Sequence, residues 1–132
     1  MSDITTVILA AGNSTRFKAS KSKLVYPLCG LPIVSHIFNI AKKISGKNIL
    51  VVSNEKNKEE LKLILNTSKL VVQKKQKGTA DAIEQVKKYV KSKNILILFG
   101  DTPLVEVKDI RKLVSKFKKS KAKASLLSLI HI

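Results

Sequence analysis

The chain has little of what many site chemistries require. A single cysteine, Cys29, stands in 132 residues, which excludes an internal disulfide and any metal centre built on several thiolates. Tryptophan is absent and aromatic residues make up only 5%, a poor supply for the stacking platforms that hold single-stranded nucleic acids. No segment approaches the roughly 18 consecutive apolar residues of a membrane helix. The N-terminal MSDITTVILAAG has no basic region ahead of its apolar run, so a cytoplasmic protein without membrane contact is the expectation.

Negative charge is also scarce. Nine acidic residues face 26 lysines and arginines, a formal net charge of +17. Such an excess attracts polyanions, but the only arginines are Arg16 and Arg111, and lysines are spread over nearly every polar face from Lys42 to Lys123. A solvated lysine-rich surface is expected rather than a specific nucleic-acid interface. Cys29, beside Pro27 and Gly30, reads as a small packed residue.

What is present is ordinary for one globular unit: 44% hydrophobic and 27% charged residues. Strand and helix signals alternate. Ile4 to Ala10 reads as a buried strand; residues 33–45 place Ile33, Ile37, Ile40, Ala41 and Ile44 on one helical face before Gly46. Residues 48–53 read as a strand and 58–65 as a short helix with Leu61, Ile64 and Leu65 inward. A third strand over 69–73 precedes a helix from about Thr79 to Lys91, with Thr79 as N-cap and Ala82, Ile83, Val86 and Val90 inward. NILILF, 94–99, is a fourth strand, and a fourth helix carries Ile110, Leu113, Val114 and Phe117. The expected fold is α/β: a doubly wound, mostly parallel sheet with helices on both faces. ASLLSLIHI, 124–132, reads as a fifth strand on whose last apolar residues the sequence stops. The expectation is the front part of a longer domain.

In a doubly wound sheet, ligands sit at the carboxyl ends of the strands. LAAGNSTRF, 9–17, follows the first strand; Ala10, Ala11 and Gly12 keep side chains small so that backbone N–H groups can approach phosphate oxygens, with Arg16 and Lys23 adding charge. The loop lacks the G-K-[ST] of a Walker A motif and the GxGxxG of a dinucleotide fold. Taken alone, such a small-residue turn with one arginine is also compatible with a plain tight strand-to-helix connection. After the third strand, QKKQKGTADA offers Gln73 for a base edge and Gly78 with Thr79 for close backbone approach. After the fourth, FGDTPL projects Asp101, a carboxylate suited to Mg²⁺ held against phosphates or, alone, to an Asx-type turn. His36, on the first helix, reads as structural or solvent-facing.

These three loops, in this order and spacing, resemble the sugar-phosphate nucleotidyltransferases, and among them the N-terminal uridylyltransferase domain of the bifunctional enzymes that pair it with a glucosamine-1-phosphate acetyltransferase. The resemblance runs from about Ile4 to Leu104. It implies a Rossmann-like nucleotide-diphospho-sugar transferase fold, cut short, with residues 1–132 as the N-terminal part of the nucleotidyltransferase domain. It further implies UTP and a sugar 1-phosphate, N-acetylglucosamine 1-phosphate first, as partners, Mg²⁺ as cofactor, and a place in cell-envelope precursor synthesis, with room for an oligomeric full-length form. Leu9, Ala10, Ala11, Gly12, Ser14 and Thr15 then belong to the nucleotide loop, Arg16 and Lys23 to catalysis on the phosphates, Gln73 to the uracil, Gly78 and Thr79 to base and ribose, and Asp101 to the metal.

Three residues depart from that pattern: Ser14 stands where a second glycine is usual, Ser22 where a proline precedes the lysine, and Phe99 where a tyrosine is common. The sugar-binding loops and second metal aspartate of the family have no counterpart in these residues, so the resemblance implies a nucleotide subsite without an acceptor subsite and a chain that does not turn over alone. The alternatives are transfer to another sugar or alditol phosphate or to a molybdenum cofactor, using CTP or GTP, or a non-catalytic nucleotide-binding remnant.

Overall fold

A run with no polar alternation must be covered on both faces, and ITTVIL is such a run: it forms β1 (Ile4–Leu9), whose first five residues are buried. In the computed structural model, which describes residues 3–18, 20–66 and 69–127, β1 lies inside a four-stranded sheet. The chain continues through a 3₁₀ turn (Lys23–Val25), a hairpin of β2 (Pro27–Leu28) and β3 (Leu31–Pro32), and α1 (Ile33–Ser45). Then follow β4 (Ile49–Ser53), α2 (Lys58–Leu65), β5 (Leu70–Val72), α3 (Thr79–Val86), β6 (Asn94–Phe99) and α4 (Val107–Lys119).

The main sheet has the order β5-β4-β1-β6, and every pairing in it is parallel. β1 pairs with β4 through Thr6↔Ile49 to Leu9↔Val52 and with β6 through Ile4↔Asn94 to Leu9↔Phe99. The path runs outward from β1 to β5, then returns to the other side of β1. The strand order thus reverses between β1 and β6, where loops leave in divergent directions and open a crevice.

The pleat of β1 divides the core. Ile4, Ile8 and Ala10 pack with Val34, Ile37 and Ala41 of α1, Leu61 of α2 and Ile110 and Val114 of α4. Val7 and Ala11 face Leu50, Val52, Ala82 and Val86 under α3. Burying each of the valine, leucine and isoleucine side chains among these is worth about 1.5–3 kcal/mol. The covering is uneven, because Ile95 and Phe99 of β6 remain 42% and 50% exposed.

Several expectations are corrected. In α1, Val34, fully buried, joins the expected inward face, and Ile33 in the first turn is partly buried against the same core. The third helix ends at Val86 and tightens into a 3₁₀ turn, Lys87–Tyr89, so that Val90, already extended, reaches the smaller core cluster. Thr79 is its first helical residue, and Gly78 precedes it with φ +97°, ψ −178°, a conformation only glycine adopts without strain. The 3₁₀ turn Lys23–Val25 and the hairpin of β2 and β3 were not legible in the pattern. Cys29 is not packed: it is exposed at the hairpin tip, where Cys29 and Gly30 have φ +51° and +81°, the pair of positive angles that a type I′ turn needs. Across 124–127 no strand forms, and residues 128–132 lie outside the described residues.

Candidate functional site

At the carboxyl ends of β1 and β6 the chain makes a close approach that would crowd a side chain. Gly100 donates its N–H to the carbonyl of Leu9 at 2.9 Å, and a Cβ on Gly100 would meet that same oxygen at 3.2 Å. This contact ties the first loop to FGDTPL. Between them and the start of α3 lies a cavity of about 450 Å³.

The loop after β1 has been turned into an array of donors. Asn57 donates to Ala10 O at 2.8 Å and Asn54 to Ala11 O at 3.0 Å and Gly12 O at 3.4 Å. Gln76 also donates to Ala11 O, and to Asn13 Oδ1 at 3.0 Å. With the carbonyls occupied, the N–H groups of Ala11 and Gly12 donate to no acceptor among the described residues. Asn54 and Asn57 are 7% and 2% exposed, and they brace one another: Asn54 N–H donates to Asn57 Oδ1 at 3.0 Å and Asn57 N–H to Asn54 Oδ1 at 2.9 Å. A backbone held this way presents N–H groups to an anion without reorganising.

Ser14 adopts φ +49°, the left-handed region that favours glycine. The serine that departs from the family pattern therefore keeps the glycine-like backbone. Lys23 is delivered by the 3₁₀ turn: Leu24 is buried at 4%, Ser22 Oγ accepts from Leu24 N–H at 3.4 Å, and Lys23 is left half-exposed at the cavity. There its ammonium donates to Asp101 at 2.6 Å. His36 donates its Nε2–H to Leu28 O at 2.8 Å and so pins the hairpin to α1, a structural role.

Of the residues expected from sequence, Leu9, Ala10, Ala11, Gly12, Ser14, Lys23, Gln73, Gly78, Thr79 and Asp101 all line this one cavity. Thr15 and Arg16 do not; both are exposed on the far part of the loop, and Arg16 makes no hydrogen bond or ion pair among the described residues. Three supporting residues were missed. Gln76 stood inside the quoted QKKQKGTADA element without a role, while Asn54 and Asn57 carried only the weak signal of two amides three apart after a strand.

No group of three or more His, Cys, Asp or Glu side chains able to hold a metal ion occurs among the described residues. Asp101 is a lone carboxylate, which fits the way Mg²⁺ is commonly held, by one or two carboxylates together with substrate phosphates, and does not fit an all-protein cage. Also among the described residues, no helix is long and apolar enough to cross a membrane.

Comparison with known proteins bears on the family and the fold. Residues 6–128 match the MobA-like NTP transferase domain. The bifunctional protein GlmU of Buchnera aphidicola subsp. Schizaphis graminum is 42% identical over 120 residues, 89% of this chain and 26% of that protein. GlmU of Bacillus subtilis is 30% identical over 126 residues, 94% of this chain and 28% of its own length. The chain thus spans about a quarter of the curated relatives it matches. Among solved structures, a CMP:2-keto-3-deoxy-manno-octonic acid synthetase complexed with CTP superposes with a TM-score of 0.76 at 20% identity, covering 92% of this chain and 49% of that one. That likeness bears on the fold alone.

Proposed function

The chain belongs to the MobA-like NTP transferase domain family, and from that premise we propose that it binds UTP and supplies the nucleotide half of a uridylyltransferase acting on a sugar 1-phosphate, N-acetylglucosamine 1-phosphate first. The observation that carries the reading is the loop 10–12 with its carbonyls occupied by Asn54, Asn57 and Gln76 and its N–H groups free at the cavity.

In the reaction, an oxygen of the sugar 1-phosphate attacks the α-phosphorus of UTP in line. The bond from that phosphorus to the bridging oxygen breaks, and UDP-sugar and pyrophosphate form. No protein nucleophile is needed; positioning and charge neutralisation supply the catalysis. The free N–H groups of Ala11 and Gly12 hold phosphate oxygens, and Lys23, with Arg16 brought in from the exposed loop, offsets the charge on the leaving pyrophosphate. Gln73 reads the base, and Gly78 and Thr79 lie against base and ribose. Asp101 would hold Mg²⁺, which supplies Lewis-acid neutralisation of the phosphates when bound. In this reading the protein works in the cytoplasm, where UTP and sugar phosphates are made.

Calorimetric titration of the 132-residue chain with UTP in Mg²⁺ is the test, paired with a pyrophosphate-release assay containing N-acetylglucosamine 1-phosphate. Saturable one-to-one binding that Asp101→Ala makes independent of Mg²⁺, without turnover by this chain alone, is the expected result. Absence of saturable binding to any nucleoside triphosphate would sink the proposal, and stronger binding of CTP or GTP would redirect it to another acceptor class.

A further inference from the structure

Asp81 lies in the first turn of α3, where any carboxylate is favoured by the helix dipole. Its side chain is committed to something more particular. Gln73 Nε2 donates to Asp81 Oδ2 at 2.6 Å and to the Gly78 carbonyl at 3.3 Å. An ionised carboxylate and a carbonyl can only accept, so the end of Gln73 that faces them is its NH₂ group. The orientation of the amide follows from the chemistry of its partners. Gln73 is 4% exposed, lines the cavity, and its Oε1 receives no hydrogen bond from the described residues.

We propose that Asp81 is a specificity-determining positioning residue: by holding the NH₂ of Gln73, it makes Gln73 Oε1 a fixed acceptor that selects a pyrimidine carrying N3–H, uracil or thymine, over cytosine. This rests on the cavity being the nucleotide site argued above. A glutamine free to rotate offers a donor or an acceptor on demand and so reads either base. A glutamine locked by a carboxylate offers only an acceptor. Cytosine N3 is itself a bare acceptor, so two lone pairs would be opposed at the buried Gln73 side chain, whereas uracil N3–H donates to Oε1 directly.

The test is calorimetric titration of the 132-residue chain and its Asp81→Asn variant with UTP and CTP, both in Mg²⁺. Asparagine keeps the shape but can present a donor as well as an acceptor to Gln73, which leaves the longer contact to the Gly78 carbonyl, 3.3 Å, as the remaining fixed acceptor and weakens the lock. The wild type should prefer UTP over CTP by about tenfold, the equivalent of one opposed hydrogen-bonding group. In Asp81→Asn the preference should fall to about threefold or less, through a gain in CTP affinity that a general loosening of the site would not produce. A second readout needs no nucleotide: one Nε2 proton of Gln73 should resonate downfield in the wild type and return to the ordinary amide range in the variant.

If neither nucleotide binds the wild type, the nucleotide reading falls and this role falls with it. If the wild type binds UTP but does not discriminate, or the variant keeps the same ratio, the role of Asp81 alone is overturned.

Discussion

Lys23 and Asp101, 78 positions apart in the chain, meet at the cavity, with the Lys23 ammonium donating to Asp101 Oδ2 at 2.6 Å. Their side chains are 39% and 43% exposed, so the pair adds no more than about 1 kcal/mol to stability. Its interest lies in competition. A divalent cation at Asp101 would compete with the ammonium for the carboxylate, and a released lysine would then be available to phosphate. Lys23→Met should therefore bind Mn²⁺ alone a few-fold more tightly and bind Mg²⁺–UTP about tenfold more weakly, because a charge-assisted hydrogen bond to phosphate is lost. Mn²⁺ electron paramagnetic resonance and calorimetry check the two signs. Changes of the same sign would refute the competition.

Asn57 supports the loop from beneath, at 2% exposure, through Ala10 O and Asn54 N–H. Replacing it by alanine leaves a buried carbonyl without its donor. Asn57→Ala should lose about 2 kcal/mol in urea unfolding and weaken nucleotide binding. Retention of full stability would show that water replaces the amide.

Two departures from the family pattern have opposite local logic but one expected direction. Ser14 holds φ +49°, where glycine avoids a steric cost of about 1 kcal/mol. Ser22 has φ −59°, already the value of a proline ring, and its N–H makes no hydrogen bond among the described residues. Ser14→Gly and Ser22→Pro should each raise stability by about 0.4–1 kcal/mol, read as higher melting temperatures. A drop in either would mean that the hydroxyl contributes more than the backbone.

Ser53 closes β4 in full burial, and its Oγ has no hydrogen-bond partner among the described residues. Removing an unsatisfied buried hydroxyl relieves its desolvation. Ser53→Ala should be neutral to about 1 kcal/mol stabilising; clear destabilisation in urea would reveal a water or ligand bound to that hydroxyl.

At the N-terminal side, Lys118 of α4 donates to Asp3 Oδ1 at 3.0 Å, and the same ammonium lies 2.8 Å from Oδ2 in an ion pair. That hydrogen bond holds the Asp3 carboxyl below its usual 3.8, with burial opposing. The folded value is the depressed one, so the associated stability is present above the unfolded value and is lost as pH falls through the folded value. The melting temperatures of wild type and Asp3→Asn should differ at neutral pH and converge in acid. A gap that persists at low pH would assign the difference to packing.

The alternation of strand and helix, the three loops and most of the cavity lining were decided by the sequence itself. An apolar run such as ITTVIL is satisfied inside a covered parallel sheet, and turn chemistry such as Gly78 followed by Thr79 is local. What the sequence could not decide was which polar side chains serve the ligand and which serve the backbone. Asn54, Asn57 and Gln76 look like ordinary surface amides until β4 and the loop before α3 are brought against residues 10–13. Arg16 was read by its charge as a site residue, yet its placement depends on how far the loop runs before the 3₁₀ turn. The hairpin with Cys29 at its tip, and the shortening of α3 so that Val90 can reach the core, were likewise settled by packing. Each of these depends on contacts between positions distant in the chain, for which periodicity and local propensity carry no signal.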